Sequence, residues 1–146
     1  MNIEINEKAP AVSRQNIFIN APIEKVWSVL TSINEWPSWQ SAVKEATLKG
    51  ALAEETEFVW KAGGLTFHSK IHTCDRYHSF GWTGKTIGAQ AIHNWKFEAK
   101  ENDVVVSVEE SLQGFFASLM KKKFQKSLTE GMAKNLEELK AACEKQ

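Results

Sequence analysis

The sequence has no net charge, two cysteines and no long apolar run. Its 146 residues contain 18 basic and 18 acidic side chains, a balance that argues against a general nucleic-acid binder, whose affinity rests on neutralising phosphates. No apolar stretch approaches the roughly 18 residues that a transmembrane helix needs. The N-terminus has neither the basic start nor the apolar centre of a signal peptide. We therefore expect a cytoplasmic protein without integral membrane association.

Metal and redox signatures are equally scarce. Cys74 and Cys143 lie far apart, and in a cytosolic chain two free thiols are the expected state. No Cys/His spacing is typical of zinc, and no nucleophile elbow, P-loop or dinucleotide fingerprint occurs. His68 and His72 lie four residues apart, which on a strand separates them by about 13 Å, too far to share a metal. We expect no metal and no cofactor, and we predict that both histidines face solvent.

No repeat or linker divides the chain, so residues 1–146 are predicted to form one domain. Ten polar lead-in residues precede a predicted strand at 12–19. A short helix follows Pro22, and Pro37 shortens a second one. Six more strands are predicted at 43–49, 57–61, 65–73, 79–83, 89–100 and 103–111. Gly81, Gly84 and Gly88 are assigned to a mobile turn region around 82–89.

The last third of the sequence predicts one long amphipathic helix over residues 115–142. Its apolar stripe consists of Phe116, Leu119, Met120, Phe124, Leu128, Met132, Leu136, Leu139 and Cys143. An antiparallel sheet with one apolar face needs a cover, and this stripe supplies it. The predicted fold class is α+β: a curved antiparallel sheet wrapped around a long C-terminal helix, with two short helices after the first strand.

Alternation along the strands predicts which side chains face the helix. The inner set comprises Phe58, Trp60, Leu65, Phe67, Ser69, Ile71, Thr73, Phe80, Trp82, Ala91, His93, Trp95, Phe97, Val104, Val106, Val108 and Glu110. An apolar face with a few polar groups is typical of a ligand cavity, and it is equally compatible with a filled core. Trp27 is predicted to be structural. Trp36 and Trp39 either line the cavity or pack a tight turn.

Several segments resemble the SRPBCC superfamily, the helix-grip proteins that include START-related lipid carriers, the birch pollen allergen and polyketide cyclases. The segments are INAPIEKVW (19–27), WPSW (36–39), FGWTG (80–84), HNWKFE (93–98) and residues 104–110. The likeness is strongest to bacterial polyketide cyclase/dehydrase-like proteins and extends over about residues 12–143. It implies the helix-grip fold and an internal cavity. It supplies no fixed catalytic motif.

These observations lead to the interpretation that the protein binds a small hydrophobic molecule, lipid, aromatic or polyketide-like, between sheet and helix. Ser69, His93 and Glu110 are expected to orient the polar groups of this ligand. The expected lining residues are Trp36, Trp39, Phe58, Trp60, Phe67, Ser69, Ile71, Phe80, Trp82, His93, Trp95, Val106, Val108, Glu110, Phe116, Met120, Phe124 and Leu128.

Two alternatives stay open. His93 and Glu110 form an acid/base pair that would serve a metal-free cyclase or dehydratase. The second alternative is a protein-partner module resembling the chaperone-ATPase activators of the superfamily. Its candidate surface is the lysine cluster, defined as Lys121, Lys122, Lys123 and Lys126. This cluster is typical of a solvated face, and it also fits an anionic lipid surface or a ligand carboxylate. A weak homodimer is compatible with the sequence.

Overall fold

A computed structural model describes residues 2–145, which form one seven-stranded antiparallel sheet with the strand order β1-β7-β6-β5-β4-β3-β2. The strands are β1 (Ala11–Ile19), β2 (Val43–Leu48), β3 (Glu57–Ala62), β4 (Leu65–Asp75), β5 (Ser79–Thr86), β6 (Ala89–Ala99) and β7 (Val104–Gln113). Helix α1 (Ile23–Thr31) and a 3-10 helix (Ile33–Ser38) follow β1, while α2 (Phe115–Leu119) and α3 (Lys121–Glu144) follow β7. The predicted α+β architecture is confirmed. Between residues 2 and 145, no helix has the length and apolar character needed to cross a bilayer.

The core lies between the inner face of the sheet and helices α1 and α3. Helix α3 buries Leu128, Met132, Leu136, Leu139 and Cys143, which recur at the three- and four-residue spacing of one helix face. The ring of Trp27 on α1 meets Tyr77, Phe80 and Phe97 edge to face, with centroids 5.6–6.1 Å apart. Trp27 is therefore structural, as predicted.

Side-chain hydrogen bonds attach α3 to β1 and to the start of α1. Gln125 bonds both backbone groups of Val12, accepting from its N–H at 3.0 Å and donating to its carbonyl at 2.8 Å. At the other end of α3, Glu144 accepts from Lys140 and from the backbone N–H of Asn20. These hydrogen bonds hold the pKa of Glu144 below its usual range.

The predicted single C-terminal helix is in fact two helices. Met120, at φ −121° and ψ 52°, separates α2 from α3, and Gly114, at φ 119°, precedes α2. The cause is tertiary: the Phe116 N–H donates to the Gly88 carbonyl at 3.0 Å, and the Phe116 ring occupies the space where Gly88 has no side chain. The apolar spacing continues through the break, so periodicity could not reveal it.

Strand β5 extends to Thr86, so the assignment of Gly81 and Gly84 to a mobile turn is wrong. A Cβ on Gly81 would lie 2.6 Å from the side chains of both His72 and Asn94, and one on Gly84 would lie 2.8 Å from Ser69 Oγ. These glycines admit neighbouring side chains over the strand. Only Gly88, at φ 73°, lies in the turn.

The prediction that His72 faces solvent is also wrong. His72 is 5% exposed, although it lies on the outer face of the sheet. Its Nε2 bonds Asn94 Oδ1 at 2.8 Å, and its Nδ1 accepts the Ile3 N–H at 3.3 Å. The N-terminal lead-in thus covers this face and buries Ile5, rather than forming a simple polar tail.

A register shift between Ile71 and Thr73 in the pairing of β4 with β5 accounts for a further error. Thr73 pairs with Gly81 beyond the shift, and its hydroxyl donates to Asn2 on the outer face. Thr73 is therefore not an inner residue. Cys74 packs against the core instead. Such a bulge changes which side chains face inward, and alternation cannot anticipate it.

Candidate functional site

The inner face of the sheet is closed at one end and partly open at the other. Toward α1, the side chains of Phe58, Ile71, Phe80, Val104 and Val106 are fully buried, each at 0% exposure. Toward α2, the inner residues are only half-buried. These are Trp60, Phe67, Ala91, His93, Glu110, Leu112 and Phe124. We call this second region the open end; the turns between β3 and β4 and between β5 and β6 lie there.

Aromatic rings form a continuous cluster from the closed end to the open end. Trp36, Phe58 and Trp82 contact one another at centroid distances of 5.5–5.6 Å. At the open end, Trp60 stacks on Phe67 at 4.3 Å. Such rings provide a large apolar surface with defined geometry.

His93 and Glu110 lie opposite each other on β6 and β7 and are hydrogen-bonded through Nδ1 and Oε1. Their side chains are 13% and 16% exposed. The imidazole also stacks on Trp82, with centroids 4.4 Å apart. A carboxylate at Nδ1 fixes the ring orientation and leaves Nε2 as the nitrogen available to another molecule.

Two buried ring nitrogens at this site have no hydrogen-bond partner within residues 2–145: His93 Nε2 and Trp95 Nε1, on rings whose centroids lie 5.3 Å apart. Trp39 Nε1, just after the 3-10 helix, is likewise buried without a partner among the same residues. Other tryptophans of the same cluster are satisfied, since Trp36 donates to the Leu30 carbonyl at 2.9 Å and Trp60 to Ser69 Oγ at 3.1 Å. An unpaired buried polar group costs about 1–3 kcal/mol, so native proteins rarely keep one without a reason. The arrangement can bind a polar atom of a molecule that enters between sheet and helix.

The structure separates the predicted lining residues into three groups. Fully or nearly buried are Trp36, Phe58, Ser69, Ile71, Phe80, Trp82, Trp95, Val106, Val108 and Leu128. Half-buried are Trp39, Trp60, Phe67, His93, Glu110 and Phe124. Phe116 and Met120 are 37% and 38% exposed at α2. Leu65, predicted to be inner, is 40% exposed at the first position of β4.

One polar residue beside the site was missed. Ser13 on β1 lies opposite Glu110 and is 7% exposed. Because Ala11, Ser13 and Gln15 alternate along β1, the sequence weakly indicates that Ser13 faces the core. The neighbour relation to Glu110 depends on the pairing of β1 with β7, which lies about a hundred residues away in sequence.

A polar depression of about 230 Å³ lies on the opposite face of the sheet. Arg14, Asn94, Lys96 and Glu109 contribute to its lining. Arg14 already binds Glu109 at 3.0 Å and also pairs with Glu7. Because these charges satisfy one another and the unpaired nitrogens lie on the other side of the sheet, we do not assign this depression as the site.

Neither cysteine is a candidate nucleophile. Both are free thiols. Burial raises the pKa of Cys143 to about 12, and burial together with Asp75 raises the pKa of Cys74. Since the thiolate is the reactive form, a raised pKa leaves neither thiol activated at neutral pH.

A curved antiparallel sheet around a long C-terminal helix, with short helices after the first strand, defines the helix-grip fold of START-like proteins. Residues 10–144 match the family described as polyketide cyclase/dehydrase and lipid transport, and the chain belongs to this family. No curated protein matches the sequence significantly.

Similar solved structures support the same fold. A hypothetical protein from Helicobacter pylori superposes with a TM-score of 0.83 at 15% identity, covering 98% of each chain. An aromatase/cyclase from Streptomyces sp. R1128 gives 0.77 at 10% identity, covering 91% of this chain and 93% of its own. A START superfamily protein from Mycobacterium smegmatis gives 0.74 at 11% identity, covering 91% and 97%. Identities this low establish the fold and leave the function to the site itself.

Proposed function

We propose that the protein binds a small, largely apolar molecule carrying a hydrogen-bonding oxygen, at the open end between the sheet and α3. The observation that carries this proposal is the pair of unpaired nitrogens His93 Nε2 and Trp95 Nε1, buried on neighbouring rings of the aromatic cluster. Membership of a cyclase and lipid-transport family supports a ligand of this kind.

The chemistry of the unpaired nitrogens narrows the ligand class. An indole N–H only donates, so Trp39 and Trp95 require an acceptor. A neutral His93 that donates from Nδ1 to Glu110 presents Nε2 as an acceptor. A hydroxyl, phenol or enol satisfies both, because its O–H donates to His93 while its oxygen accepts from an indole. Hydroxylated aromatic or polyketide-like compounds fit better than simple hydrocarbons.

Intrinsic fluorescence tests this proposal, because tryptophans line the site. Wild-type protein is titrated with a fatty acid, a flavonoid and an aromatic polyketide. Trp95→Phe keeps a ring and loses the N–H, so we expect about tenfold weaker binding of the hydroxylated ligands, the value of one buried hydrogen bond. Trp27→Phe, at the closed end, is the matched control and should bind like wild type. A flat response of folded wild-type protein to the whole panel would contradict the proposal.

The hydrogen bond between His93 and Glu110 favours a second candidate, a cyclase or dehydratase. In that function Nε2 removes a proton from a bound polyketide-like substrate, and Glu110 stabilises the imidazolium that forms. The His93→Ala variant distinguishes an enzyme from a binding protein. For an enzyme, His93→Ala abolishes product formation with little change in affinity. For a binding protein, no product forms at any stage, and the same substitution weakens affinity alone.

A further inference from the structure

Exposed apolar side chains gather around the open end. Within residues 2–145, eight large apolar side chains are exposed, and six of them lie here. We define these six as the apolar rim: Leu65, Ile87, Phe115, Phe116, Leu119 and Met120. Ile87, Phe115 and Leu119 are 74%, 71% and 69% exposed, so they contribute little to the core. An apolar patch of this kind commonly marks an interaction surface.

Three segments distant in sequence build this rim as one surface. Thr86 Oγ1 donates to the Thr66 carbonyl at 2.9 Å, which joins the β5–β6 turn to the start of β4. The Phe116 N–H donates to the Gly88 carbonyl at 3.0 Å, which joins α2 to the same turn. The rings of Phe115 and Phe116 lie 5.5 Å apart.

The charge around the rim is predominantly positive: the two carboxylates beside it are paired, Glu110 with His93 and Glu45 with Lys61 at 3.1 Å. Segments 58–69, 84–91 and 112–126 contain six lysines and no aspartate or glutamate. Lys121, Lys122 and Lys123 occupy the first turn of α3, all exposed, and no acidic residue accompanies them. A helix N-terminus carries partial positive charge and disfavours cations, typically by 0.3–1 kcal/mol each. The helix dipole therefore does not favour these lysines, whereas an external anionic partner would.

We propose that the open end is a docking surface for an anionic lipid bilayer. The apolar rim inserts at the boundary between headgroups and acyl chains, and the lysine cluster contacts the headgroup phosphates. A second copy of the chain fits less well, since a two-fold contact through the same patch would place two lysine clusters against each other. The docking does not depend on the proposed ligand, so it is tested without one.

Co-sedimentation with vesicles tests the proposal on the full chain. We expect binding to phosphatidylcholine vesicles that contain phosphatidylglycerol, little binding to pure phosphatidylcholine vesicles, and weakening at high salt. Replacing Lys121, Lys122 and Lys123 by Glu should lower the partition coefficient on the order of 100-fold. This estimate assumes that each lysine contributes a factor of about five to membrane binding. In the matched control, Glu replaces Lys49, Lys100 and Lys134, which are exposed lysines outside the rim. This control changes the net charge by the same amount and should bind anionic vesicles at least ten times more tightly than the cluster variant.

A second pair of variants separates insertion from charge attraction alone. Phe115→Ser with Leu119→Ser should lower anionic-vesicle binding by about tenfold or more, because apolar burial is lost. Phe18→Ser removes an exposed ring elsewhere and should leave binding unchanged. Equal binding by the rim variant and wild type would overturn the proposal, as would absence of binding to anionic vesicles. A concentration-dependent dimer that Leu119→Ser abolishes, without vesicle binding, would assign the rim to a second copy.

Discussion

At the level of single residues, the buried and half-buried tryptophans differ in whether the indole N–H has a hydrogen-bond acceptor. Trp36 and Trp60 give their indole N–H to protein acceptors, while Trp39 and Trp95 do not. Alternation along β6 and β7 placed His93 and Glu110 on the same inner face, and the strand register sets them opposite each other. It could not predict which indoles remain unpaired, because that depends on ring tilt and on partners brought in by the 3-10 helix and β4.

The two histidines that sequence reasoning treated differently show its limits. His93 lies on a regular stretch of strand, so period-two alternation placed it correctly. His72 lies beside the register shift and beneath Ile3, and neither feature leaves a local signal in the sequence. The chain therefore has a second polar cluster, His72 with Asn94, on the face that was expected to be solvated.

Cys143 gives a prediction at this scale. Its thiol pKa rises from 9.0 to about 12 in the folded protein, so between these values the unfolded state ionises first. The unfolded state then binds fewer protons than the folded state, and stability falls as pH rises. The Cys143→Ala protein has no thiol at this position and therefore lacks this pH dependence. At neutral pH the substitution should lower the free energy of unfolding by about 1–2 kcal/mol, because a buried side chain is truncated.

Chemical denaturation of both proteins across the pH range checks the Cys143 prediction. The stability difference between wild type and Cys143→Ala should be constant below pH 9 and shrink above it. A difference that stays constant through pH 11 would show that the thiol is not shielded in the folded state.

At the scale of elements, two glycines give opposite predictions. A Cβ at Gly81 would meet His72 and Asn94 at 2.6 Å, so Gly81→Ala forces this hydrogen-bonded pair apart. We expect a loss of about 1–3 kcal/mol in the free energy of unfolding, the usual cost of overpacking. A Gly81→Ala protein as stable as wild type would show that the pair can shift freely.

Gly131 is the matched control, because it lies inside α3 with nothing within 4 Å of an added Cβ. Gly131→Ala should stabilise the protein by about 0.5–1 kcal/mol through higher helix propensity. Urea denaturation of both variants in the same buffer shows whether each substitution raises or lowers the free energy of unfolding. Destabilisation by Gly131→Ala would mean that α3 needs local flexibility there.

The elements themselves were largely predictable. Seven strands, the first helix and the helical C-terminus follow from the periods of two and 3.6 residues. The errors cluster where one element docks on another: α2 on the β5–β6 turn, and the N-terminal segment on the outer face. Each docking depends on contacts between residues far apart in sequence, such as Phe116 with Gly88.

At the scale of the whole molecule, the grip has a closed end, built by α1 and buried rings, and an open end that combines the unpaired His93 Nε2, the apolar rim and the lysine cluster. The fold followed from alternation and the long apolar stripe, strengthened by the family resemblance. The open end could not be predicted in this way, because the three segments that form it come together only in the folded chain. A protein that accepts an apolar molecule at one end, and presents that end to a lipid surface, is consistent with all three features.

Nuclear magnetic resonance of the tryptophan indoles reports directly whether a ligand occupies the open end. In a ¹⁵N-labelled sample titrated with a hydroxylated flavonoid, we expect the indole N–H signal of Trp95 to shift as this N–H gains an acceptor. The Trp36 signal, whose N–H is already bonded to Leu30, should stay in place as an internal control. A Trp95 signal that remains unmoved with the flavonoid, the fatty acid and the aromatic polyketide would contradict ligand binding at the open end.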